Sequence, residues 1–100
     1  MIDWARVGGF EWDAGNARKS SEKHRVGQAD AEQMFFNHPL LVVEDPRHSV
    51  DEPRFHALGR TDEGRLLHVT FTLRAAATRI RVISARDMSR KQRARYAQES

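Results

Sequence analysis

The chain predicts an α+β domain, with helices packed on one face of a four-stranded, mainly antiparallel sheet, and three observations carry that prediction. The stretch Arg65–Arg86, RLLHVTFTLRAAATRIRVISAR, alternates Leu67, Val69 and Phe71 with His68, Thr70 and Thr72, then Ile80 and Val82 with Arg79 and Arg81. That period of two is the signature of two half-buried strands folded as a hairpin. Two further strand-like runs, LLVVED (Leu40–Asp45) and RFHALGR (Arg54–Arg60), precede it, and strands that follow one another through short links pair antiparallel. Segments with helix caps and helical spacing stand before and after these four strands.

The elements follow in order. Residues 1–9 carry little pattern, with Gly8-Gly9 as a joint and 1–9 as a flexible lead into the domain. Phe10-Glu11-Trp12 is a short extended segment. Asp13 then caps a helix through about Lys23, because its carboxylate can accept from the free amides of the first turn, and Lys23-His24 closes that helix where its dipole is negative. A turn at Arg25-Val26-Gly27 leads to a second helix, about Gln28–Phe36, whose Ala31, Met34 and Phe35 make a narrow apolar stripe; Met34, Phe35 and Phe36 read as core. Asn37-His38-Pro39 ends it. Pro46–Pro53 is a polar loop between the first two sheet strands, Thr61–Gly64 a hairpin turn, and Ser89 the cap of a last helix, about Arg90–Gln98.

Composition bounds what the domain does. One hundred residues make one domain, and 39% hydrophobic with 31% charged residues describe a folded one. The chain has no cysteine, which removes disulfides, thiolate metal sites and thiol nucleophiles, and its five histidines are scattered rather than set at metal-ligand spacing. No apolar run nears the roughly 20 residues of a membrane span and the N-terminus lacks a signal-peptide pattern, so the expectation is a cytoplasmic protein that avoids membranes. The net charge of +3 is unevenly spread: from Arg79 to Tyr96 there are seven cationic residues and one acid, which leaves the rest of the chain at −3. A cationic end of this kind suits a phosphate-rich partner or an acidic protein.

Glycine-rich phosphate loops, HExxH and GxSxG are absent. The groups available for chemistry are Lys23, His24, Glu52, Arg54, His56, His68, Arg79, Arg81 and Arg86. Such a metal-free set fits cleavage of RNA by its own 2′-hydroxyl, which needs a base, an acid and cations for the charge that builds on the phosphoryl oxygens. Arginine serves the last task because its planar fork binds two oxygens and stays charged.

FEWD (Phe10–Asp13), Lys23-His24 followed by Val26, Phe35-Phe36 with Pro39, EPRF (Glu52–Phe55) with LGR (Leu58–Arg60), VTFT (Val69–Thr72), and RIRVISAR with RKQRARY (Arg79–Arg86, Arg90–Tyr96) together resemble the BrnT toxin family over about residues 10–96. The resemblance implies a RelE-like fold and a ribonuclease toxin of a type II toxin–antitoxin module. It also implies a BrnA-type antitoxin with a ribbon-helix-helix DNA-binding domain, so that DNA is reached only through the antitoxin. The chain departs from the family pattern at Asn16, Ser20, Arg25 and Gln28, and it has Gln92 where the family has a glutamate, so no acid or base role falls there. The function expected is thus a metal-independent endoribonuclease that needs no cofactor and inhibits translation. Its expected catalytic residues are Arg54, Arg81 and Arg86, with His24 or Glu52 in proton transfer; Lys23, Arg79, Arg93 and Arg95 would bind substrate. The expected complex is a 2:2 heterotetramer with the antitoxin. The alternative is a non-catalytic basic module that holds an antitoxin-like protein or RNA.

Overall fold

A computed structural model of the protein describes residues 2–49 and 51–99. Five strands form one sheet: β1 (Gly9–Trp12), β2 (Leu41–Glu44), β3 (Arg54–Arg60), β4 (Leu66–Arg74) and β5 (Arg79–Asp87), in the spatial order β1-β5-β4-β3-β2. Three α-helices accompany it: α1 (Ala14–His24), α2 (Gln28–Gln33) and α3 (Arg90–Glu99).

The sheet corrects the sequence expectation of four strands. Phe10-Glu11-Trp12 belongs to a fifth, edge strand that runs parallel to β5, with Phe10 opposite Ile80 and Trp12 opposite Val82. Four residues show too little alternation to announce a strand, and the partner lies about 70 positions away in sequence. The other pairings are antiparallel, as expected. Beyond Trp12 the edge of β5 is taken over by α1, whose buried Ser20 accepts a hydrogen bond from the Ala85 amide at 3.1 Å. Asp13 caps α1 as its sequence predicts, accepting from the amides of Gly15 and Asn16. At the other end Arg25 adopts a left-handed conformation (φ 56°), and Arg65 donates to the carbonyls of His24 and Arg25 while pairing with Asp87 at 2.8 Å.

The helices lie on both faces of the sheet, which corrects the expectation of a single covered face. Val26, Ala31 and Met34 pack on Ala57, Leu67, Val69 and Phe71, all of one parity on their strands. The opposite parity meets α3, where Tyr96 packs with Leu58 and Met88 and donates from its hydroxyl to the Pro39 carbonyl. Chain order explains this: α3 leaves the end of β5 after Met88 has turned under Leu66, whose carbonyl accepts from the Met88 amide at 3.1 Å. The second helix is also shorter than expected, passing into a 3-10 turn at Met34–Phe36, so Met34 is fully buried but Phe36 is 75% exposed.

One irregularity positions the site. Thr70 pairs with Ser84 and Phe71 with Val82, so Ile83 is an extra residue in β5. Strict alternation from Arg81 would turn Arg86 into the core; the bulge resets the phase, so that Ala85 is buried and Arg86 exposed.

Candidate functional site

On the face opposite the main core, the strands set polar residues side by side in rows. Arg54, Thr72, Arg81 and Glu11 are in register across β3, β4, β5 and β1. The neighbouring row holds His56, Thr70 and Ser84, and the next Leu58, His68 and Arg86. Arg54 and Arg81 flank Thr72, two strand spacings or roughly 10 Å apart at their Cα atoms. Thr70 and Thr72 are themselves buried, Thr72 donating to the Pro53 carbonyl, so solvent meets the longer side chains around them. Arg79, also on this face, is exposed over Gly9, where a Cβ would come within 3.2 Å of its guanidinium.

A continuous hydrogen-bond network crosses the same face. Asp45, just past β2, accepts from His56 Nε2 at 2.8 Å and contacts His48 Nδ1 at 2.8 Å. His56 Nδ1 lies 3.0 Å from both Thr70 Oγ1 and His68 Nε2, and His68 Nδ1 lies 3.2 Å from Gln92 Nε2 on α3. Hydrogen bonds from His56 and His48 hold the Asp45 carboxyl down to about 2, well below the usual carboxylate value. Burial first, then the neighbouring His56 and Arg86, push His68 down to about 4, so it is neutral at physiological pH. His56 is the accessible member, with 31% of its side chain exposed. Beside it opens a cleft of about 280 Å³ lined by Leu41, Val43, His56, Leu58, His68, Gln92 and Arg95.

The structure thus brings some of the expected residues together and separates others. Arg54, Arg79, Arg81 and Arg86 share the polar face. Among the described residues Arg54, Arg79 and Arg86 have no ion pair, whereas Arg81 reaches Glu11 at 3.4 Å and Asp13 at 3.6 Å. Glu52 is engaged by Arg74 at 3.1 Å at the far end of the face. Lys23 and His24 sit at the C-terminus of α1, where Arg65 and Asp87 gather, away from the His56 network. Arg93 donates to the Met88 carbonyl at the start of α3, and Arg95 lines the cleft. Asp45 was not among the residues expected from sequence. Its only signal is its place one residue past a strand whose odd positions face the histidines.

These features describe a small basic domain that presents arginines and a histidine pair on a single sheet face, a class suited to handling phosphodiesters. A family model described as "Ribonuclease toxin, BrnT, of type II toxin-antitoxin system" matches residues 12–92, and the chain belongs to that BrnT family. The family's toxins act on RNA and are paired with an antitoxin. A search of curated proteins finds no match. Among solved structures the chain is similar to the Brucella abortus ribonuclease toxin BrnT, determined at 1.1 Å, with a TM-score of 0.59 and 22% identity over 84% of this chain and 100% of that one. At that identity the likeness is one of fold, and it is to a BrnT structure; the RelE-like description expected from sequence gains no support from it.

Proposed function

We propose that this BrnT-family toxin is a metal-independent endoribonuclease that cleaves RNA through the 2′-hydroxyl of the substrate, and so stops translation in the cytoplasm. The observation that supports the reading is the adjacency of the Arg54–Thr72–Arg81 row to the His56–Asp45 couple. A phosphodiester over Thr72 meets guanidinium forks from both sides, which matches the charge that develops on the phosphoryl oxygens. Asp45 accepts the Nε2 proton of His56 and leaves Nδ1 as the basic nitrogen. A substrate 2′-hydroxyl that displaces the contacts of Nδ1 with Thr70 and His68 gives its proton to Nδ1. The O2′–P bond forms as the P–O5′ bond breaks, and the proton passes on to the departing 5′-oxygen, leaving a 2′,3′-cyclic phosphate and a 5′-hydroxyl. In this reading His56 takes the proton-transfer role that the sequence offered to His24 or Glu52, and Arg86, Arg79 and Arg95 extend the contact with the RNA strand.

Incubating the purified protein with RNA in excess EDTA tests the mechanism. Cleavage should persist and yield cyclic phosphate ends; activity that is lost in EDTA and restored by a divalent ion would overturn it. The partner proposed is a BrnA-like ribbon-helix-helix antitoxin, whose dimer would join two toxins in a 2:2 complex and carry the contact with DNA.

A further inference from the structure

Gln92 makes three hydrogen bonds whose donors and acceptors can all be assigned. Its amide and side chain form a capping box with Ser89: the Gln92 amide donates to Ser89 Oγ at 3.1 Å, and the Ser89 amide donates to Gln92 Oε1 at 2.9 Å. Only an oxygen can accept from Ser89, so the orientation of the Gln92 amide is fixed and its NH₂ faces His68 Nδ1. An NH₂ can only donate, so Nδ1 carries the lone pair and neutral His68 carries its proton on Nε2. That proton points to His56 Nδ1, which must therefore be a lone pair too, and the proton of His56 stands on Nε2 toward Asp45. Every link has one donor and one acceptor, and all run the same way, from α3 to the end of β2.

We infer that Gln92 is a positioning residue that fixes the tautomer of His68 and, together with Asp45 at the other end, keeps His56 in the form of a base whose acceptor nitrogen is Nδ1. The groups that face this pair are Asp45 and, through it, His48 beyond β2; Thr70 on β4; Arg86 on β5; and Gln92 and Arg95 on α3. Asp45, which can only accept, requires the proton on His56 Nε2 and so imposes the same direction from the other end, whereas Thr70 can donate or accept and Arg86 acts by charge; at the outer nitrogen of His68 the direction is set by Gln92. An imidazolium at His56 would set its Nδ1 proton against the Nε2 proton of His68, with only Thr70 left to accept it. The arrangement suits a proton in transit from the 2′-oxygen to the 5′-oxygen. The catalytic part of this inference rests on the ribonuclease reading above; the tautomers do not.

Gln92→Glu is the test, because glutamate serves a capping box as well as glutamine and leaves α3 intact, which circular dichroism checks. The introduced carboxylate can only accept, so it calls for a proton on His68 Nδ1 while Asp45 still calls for one on His56 Nε2, and two acceptors at the ends draw one more proton into the pair. In wild-type protein labelled with ¹⁵N-histidine, the ring nitrogen shifts at pH 7 should show the Nε2–H tautomer for both histidines. In Gln92→Glu they should show a protonated Nδ1 on His68. A proton on His68 Nδ1 in the wild type, or unchanged rings in the variant, would overturn the inference. Cleavage supplies the second arm: the variant should bind RNA as before but cut it roughly tenfold or more slowly at pH 7, for each unit by which proton uptake moves past neutrality, and recover at higher pH. Rings that switch while the rate–pH profile stays put would uphold the positioning by Gln92 and reject His56 as the base.

Discussion

Arg81 does not wait free for substrate: Glu11 and Asp13 hold its guanidinium at 3.4 and 3.6 Å, and at 29% exposure the side chain is mostly covered. A phosphate must displace those carboxylates, so the interaction gains most where charge is greatest, in the transition state. Arg81→Lys keeps the charge and loses the fork, and should lower turnover by about 100-fold while RNA binding changes little. A folded variant that cleaves at the wild-type rate would assign Arg81 to the sheet alone. His68 sets the acid limit. Its folded-state value of about 4 lies below the 6.5 of a free histidine, so the unfolded chain binds the extra proton; the stability it contributes is complete above about pH 6.5 and is lost as pH falls toward 4. Between pH 7 and pH 5 denaturant unfolding should show a loss on the order of 2 kcal/mol, and a His68→Asn variant should lack that slope. At this scale the sequence was partly legible. Period-2 alternation put His56, His68, Arg54 and Arg81 outward, but Asp45 and Gln92 join them only through the folding of a loop and a helix, which no local pattern encodes.

Between elements, the turn that joins β4 to β5 stores strain. Ala75, Ala76 and Ala77 have φ of 53°, 54° and 67°, a left-handed run where alanine pays for its Cβ. The Thr78 hydroxyl and amide, both donating to the Ala75 carbonyl, hold it, and Thr78 in turn accepts from the Gly8 amide. Ala76→Gly should therefore stabilise the fold by about 0.5–1 kcal/mol and raise the thermal midpoint by a few degrees, read by calorimetry; an unchanged or lower midpoint would argue against the strain. The hairpin itself was plain in the sequence because its alternation is long. Strand β1 was not, since a parallel edge partner needs the whole chain to bring it home, and neither was the placing of α3, because a single short helix can pack on either side of a sheet.

The molecule as a whole separates two kinds of surface. One face of the sheet is closed by α2, by Val26 just before it, and by an aromatic group in which Phe71 contacts Phe35 and Phe55. The other carries the arginines, with α3 standing along one side. That asymmetry follows from the charge excess between Arg79 and Tyr96, which the sequence displayed openly. An antitoxin that neutralises such a toxin has to deal with this cationic face, and the ribbon-helix-helix dimer proposed above would have two equivalent arms with which to do so. Light scattering of the co-expressed pair should give the mass of two toxins and two antitoxins; a one-to-one complex at micromolar concentration would exclude that assembly.

The extra residue at Ile83 means that β5 is written in two reading phases. Up to Val82 the even numbers belong to the core, and from Ser84 onward the odd ones do. The first phase sets Arg81 beside Thr72 and the second sets Arg86 beside His68, so the two halves of one strand can vary independently of each other. Removing that one residue would do more harm than replacing any of its neighbours, because it would exchange inside for outside along half of the strand.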